Sequence, residues 1–113
     1  MNLIYLSIVL FGTAAVLGLT ILLRWLSKKE GHKVVIYSHG TLAALSLVLL
    51  ISYTMMHPDH YPKIPLLLFC LAALVGFYMF FMNQVRNTRP VSVAFVHGLV
   101  AVSAFVFLLL FIL

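Results

Sequence analysis

Charge is scarce in this chain, and acidic charge scarcest of all. Aspartate and glutamate occur once each, as Asp59 and Glu30, and charged residues make up 8% of the 113 residues. A soluble domain needs a polar shell that this composition does not provide. Hydrolytic chemistry also lacks its usual parts: there is no buried carboxylate pair, no serine elbow and no zinc-protease helix. The single cysteine, Cys70, excludes an intramolecular disulfide and any multi-cysteine zinc or iron–sulfur site, and is expected to serve as a small packing residue.

What the chain has in abundance is apolar surface. Hydrophobic residues make up 65% of it and its mean hydropathy is +1.20. A membrane core of about 30 Å needs an apolar run of about 20 residues. Four such runs are present, at 3–23, 34–56, 64–82 and 91–113, and together they occupy nearly the whole chain. The expected fold is all-α, a four-span transmembrane helical bundle forming a single domain over residues 1–113. The first run has no basic residue at its amino end and exceeds the apolar core of a secretory signal, so it is read as a retained span.

A net charge of +5 would suggest nucleic acid in a soluble protein, but here the basic residues mark orientation. Arg24, Lys28, Lys29 and Lys33 fall between the first two spans, Arg86 and Arg89 between the last two, and Lys63 alone lies on the other side. The positive-inside rule makes the two basic loops cytoplasmic and leaves both termini outside, the arrangement of a bacterial inner-membrane protein. Trp25, beside Arg24, reads as an interfacial anchor. The opposite connection, His57-Pro58-Asp59-His60-Tyr61-Pro62-Lys63, carries three metal-ligand types, but in an exposed loop they are read as incidental. Pro90 is expected at the first helical position of the last span.

The chain reads as an ungapped tandem repeat, of about 1–56 and 57–113, with a constant offset of 58 (39 to 97). Phe11 matches Phe69, Ala14 and Ala15 match Ala72 and Ala73, Gly18 matches Gly76, Val35 matches Val93, His39-Gly40 matches His97-Gly98, and Ala43 matches Ala101. Two-span repeats keep the same orientation, so a pseudo-twofold axis along the membrane normal is expected, with His39 and His97 at one depth. Small residues in spans one and three, among them Gly12, Gly18, Cys70 and Gly76, favour close helix approach. The aromatic cluster Phe77, Tyr78, Phe80 and Phe81 faces either lipid or core.

An ionisable side chain inside a membrane is a functional-site hypothesis by default. His39 is followed on its helix face by Leu42, Ala43 and Ser46, and His97 by Val100, Ala101 and Ala104, with Gly40 and Gly98 expected immediately beside the rings. Two imidazoles with small residues beside them suit a flat macrocycle held between helices, and Lys33, Arg86 and Arg89 stand where its propionates would point. On these residues and its four-span length the chain resembles the small four-helix b-type membrane cytochromes. That resemblance implies a haem b ligated by His39 and His97, six-coordinate and closed to oxygen. It further implies electron transfer with a quinol or a redox protein. The alternative reading is a non-enzymatic membrane subunit or small proton-coupled transporter in which the histidines pack or relay protons. Four short spans bury little surface, so a homo-oligomer or a place in a larger membrane complex is expected, with lipid around it and no nucleic acid.

Overall fold

The computed structural model describes residues 2–113, and within them four helices follow one another through three short loops: α1 (Leu3–Leu26), α2 (Lys33–Met56), α3 (Lys63–Gln84) and α4 (Val91–Ile112). Among the described residues there is no strand. All four helices are long and apolar enough to cross a membrane. At 1.5 Å per residue they run about 33–36 Å, slightly more than the hydrocarbon core.

The helix ends follow from local chemistry. Asn2 caps α1 by accepting the Ile4 N–H on its side chain at 3.1 Å. At the other end, Lys28 enters the left-handed region (φ 62°), and the Lys29 N–H returns to the Arg24 carbonyl at 2.9 Å, which stops the helix. Pro90 stands one residue earlier than expected, just before α4 and not inside it. Its carbonyl accepts the Ala94 N–H at 3.0 Å, as that of Pro62 accepts the Leu66 N–H at 3.0 Å before α3. Pro65 falls in the first turn of α3, where a missing N–H leaves no bond unmade.

Around the bundle, α1 packs on α2 and α4, and α3 on α4 and α2, leaving α1 diagonal to α3 and α2 diagonal to α4. The core lies toward the end that carries the 57–62 loop. Ile4, Phe11, Leu50, Tyr53, Phe69, Ala104 and Leu108 form it, and the Phe11 and Phe69 rings stack across the α1–α3 diagonal at 3.8 Å with planes 3° apart. Beside it, the Ser7 hydroxyl donates to the Ser46 carbonyl at 2.9 Å, and both serines are 0% exposed. Large apolar side chains such as Val16, Leu67, Leu74 and Leu99 point outward. Polar groups inside and apolar groups outside are what a bundle surrounded by lipid requires. The cluster Phe77, Tyr78, Phe80 and Phe81 is exposed throughout, so of the two readings the outward one holds.

Buried positions recur 58 residues apart: Ser7 with Pro65, Phe11 with Phe69, Ala14 with Ala72, Trp25 with Asn83, Ser46 with Ala104 and Leu50 with Leu108. Because lipid replaces water around the unpacked helices, removing one stacked ring forfeits packing contacts more than transfer energy. Phe11→Ala and Phe69→Ala are each expected to lower stability in a denaturing-detergent titration by on the order of 1 kcal/mol or more. The double variant should fall short of their sum by about 0.5–1.5 kcal/mol, and strict additivity would remove the diagonal stack as a source of stability.

Candidate site: the histidine pair

His39 and His97 each stand six residues after the first residue of α2 and of α4, His39 from Lys33 and His97 from Val91. Each uses its ring in the same way. The Nδ1–H of His39 donates to the Ala14 carbonyl of α1 at 2.7 Å, and that of His97 donates to the Ala72 carbonyl of α3 at 2.9 Å. A carbonyl oxygen can only accept, so the proton sits on Nδ1, and in the neutral ring the lone pair is left on Nε2. Both carbonyls lie inside helices and already take a backbone N–H; the imidazole uses the second lone pair.

Access to that carbonyl depends on the residue four positions further along. A Cβ added at Gly18 would lie 2.9 Å from Cε1 of His39, and one at Gly76 would lie 3.4 Å from Cε1 of His97. Gly18 and Gly76 are thus the glycines on which the rings rest. Gly40 and Gly98 play no such part, since a Cβ on either meets nothing within 4 Å. They follow the histidines in the chain, but one residue turns a helix by about 100° and carries them off the ring face. The signal for the right glycines was present in the pairs Ala14/Gly18 and Ala72/Gly76, four apart and repeated.

Across the α2–α4 diagonal the two imidazoles meet, with ring centres 6.3 Å apart and planes at 76°. Toward the core, Ser46 and Ala104 are fully buried, and the Ser46 hydroxyl is tied to the Leu42 carbonyl at 2.6 Å. Ala43 and Ala101 are half-buried, one turn from the histidines. Toward the basic loops the packing opens. The first halves of α2 and α4, 33–45 and 91–103, contain no buried residue, and beyond the level of the rings the described buried side chains are Trp25, Met79 and Asn83.

The two basic loops come together at this end. Arg89 forms an ion pair with Glu30, and the Asn83 amide donates to the other Glu30 carboxylate oxygen at 3.3 Å and to the Thr88 carbonyl at 2.9 Å. Lys33 borders a cleft of about 310 Å³ with Glu30, Gly31, Asn83, Gln84 and Asn87, while Arg86 is exposed in its loop. Trp25 departs from the anchor expected of it. It is 6% exposed, because α1 continues past Arg24 and the spacing 11, 18, 25 keeps it on the line of Phe11 and Gly18. Its Nε1–H is buried without a hydrogen-bond partner among the described residues.

At the opposite end the loop histidines are occupied by aromatic neighbours. His57 donates from Nδ1 to the Tyr53 carbonyl at 3.0 Å and stacks on the Tyr53 ring, and His60 stacks on Phe111. Among the described residues no group of three or more histidine, cysteine or acidic side chains gathers to hold a metal ion. No protein-family model matches this chain, and neither a curated protein nor a solved structure shows significant similarity to it.

The unequal clearances at the two glycines separate their roles. Gly18→Ala should push the His39 ring off its carbonyl and lower stability by about 1–3 kcal/mol, the range for a buried donor that loses its acceptor. Gly76→Ala has room at ordinary contact distance and gains helix propensity, so it should stay within about 1 kcal/mol of the parent. Denaturing-detergent titrations of both variants check this, and equal losses would contradict the geometry.

Proposed function

We propose that the chain is a b-type membrane cytochrome that holds one haem b between His39 and His97 and carries electrons. The observation that supports this most is the matched imidazole pair: each Nδ1–H is held on a helix carbonyl, each Nε2 lone pair is left over, and the ring centres are 6.3 Å apart. His39 and His97, through Nε2, would be the residues that hold the haem iron.

The chain's own residues have definable tasks in this reading. The bonds to Ala14 and Ala72 fix the tautomer, set the ring orientation and increase the basicity of Nε2. With both histidines as its ligands the haem would be closed to oxygen and would supply electron transfer. The buried Ser46 and Ala104, with the stacked Phe11 and Phe69, close the space on the core side. The haem itself, when bound, supplies one-electron redox chemistry. Its donor or acceptor is a quinol dissolved in the lipid or a redox protein.

Two further elements belong to the proposal. The loops at 27–32 and 85–90 meet at one end of the bundle and hold most of the positive charge, which supports a cytoplasmic position for them and an outer position for both termini. The corresponding bonds from His39 to Ala14 and from His97 to Ala72 each span 25 residues, which supports an origin by tandem duplication with a pseudo-twofold axis along the membrane normal.

Protein produced with adequate haem supply and purified in detergent should be red, with a Soret band, and a pyridine extract should contain haem b. His39→Ala and His97→Ala should each remove the bound six-coordinate species while helical content persists. A folded, colourless parent protein under the same conditions would refute the proposal.

A further inference from the structure

The end of the bundle beyond the histidines is furnished with hydrogen-bond donors. Trp25 and Asn83 stand seven residues after Gly18 and Gly76, on the same helix lines, about 10.5 Å further toward the basic loops. Both are buried, at 6% and 4% exposure. A buried N–H with no acceptor is unfavourable, and the Trp25 indole has no acceptor among the described residues. The place corresponding to it shows which chemistry is suitable there. The Asn83 amide donates to a carboxylate, that of Glu30, and Arg89 holds the same carboxylate from the other side.

We propose that Trp25 Nε1, together with Asn83 and Arg89, binds the two carboxylates of the cofactor's propionate arms. Glu30 is then an exchangeable carboxylate that takes the Asn83–Arg89 position when those arms are absent. The inference rests on the haem reading and adds Trp25 and Asn83 to the basic residues that the sequence places where the propionates would point. Lys33, on the cleft that Glu30 and Asn83 share, adds positive charge at the same mouth.

The test is a spectroscopic titration of the full chain, stripped of cofactor in detergent, with haemin and with haemin dimethyl ester, whose propionates are capped. Haemin should bind the parent at least about tenfold more tightly than the ester, the effect of a charge-assisted hydrogen bond of roughly 1.5–3 kcal/mol. Trp25→Phe should remove most of that preference and leave the ester's affinity and Soret position unchanged. Glu30→Gln should tighten haemin alone, since it weakens the competing carboxylate; a purely structural Glu30 would loosen both ligands. An unchanged preference in Trp25→Phe, or a loss shared by both porphyrins in Glu30→Gln, overturns the inference. Should Trp25→Phe bind neither porphyrin, Asn83→Leu is read by the same criteria. Equal binding of the two porphyrins by the parent would overturn the propionate site while sparing the axial pair, and binding of neither would overturn both.

Discussion

An imidazole N–H buried in hydrocarbon has to find an acceptor, and in a bundle of helices the acceptors within reach are the second lone pairs of neighbouring carbonyls. Much of this structure depends on meeting that requirement twice. For His39 to reach the Ala14 carbonyl, α1 and α2 must approach closely at that level, and the side chain that would stand in the way must be absent. Gly18 meets this condition, with 2.9 Å between an added Cβ and the ring. The same arrangement of Ala72, Gly76 and His97 binds α4 to α3. Two helix pairs fastened in this way bring their histidines together on the diagonal, each ring fixed through Nδ1 and left with Nε2 free.

The bundle is uneven along its axis. Its far half is a packed apolar core closed by the Phe11–Phe69 stack and by the buried contact of Ser7 with Ser46. Its basic half has few buried side chains and an unpartnered indole N–H, and is held together at the mouth by Glu30, Arg89 and Asn83. The histidines sit at the boundary between the halves. The packed half fixes the positions of the two imidazoles, and the other half holds few buried side chains.

The four spans were legible because long apolar runs end at charges and prolines, and the helices end within a few residues of them. The placement of His39 and His97, each six residues into its helix, is consistent with the sequence matches at an offset of 58. What the sequence did not reveal was rotation about each helix axis. Spans that are apolar all round carry no facing signal, so the glycines under the rings could not be told from those beside them in the chain. Trp25 shows the same ambiguity: its neighbour Arg24 suggests the interface, while its register with Phe11 and Gly18 turns it inward. The contact of Glu30 with Arg89 joins loops 59 residues apart and leaves no local trace in the sequence.

In the proposed function His39 and His97 would together hold the haem iron, and their ring planes stand at 76° in the structure. Electron paramagnetic resonance of the oxidised, haem-loaded protein addresses it directly, because the spectrum depends on both the axial ligands and the angle between their planes. Near-perpendicular imidazoles should give a low-spin ferric signal of very large anisotropy. A high-spin signal, or the rhombic low-spin spectrum of parallel imidazole planes, would contradict this account.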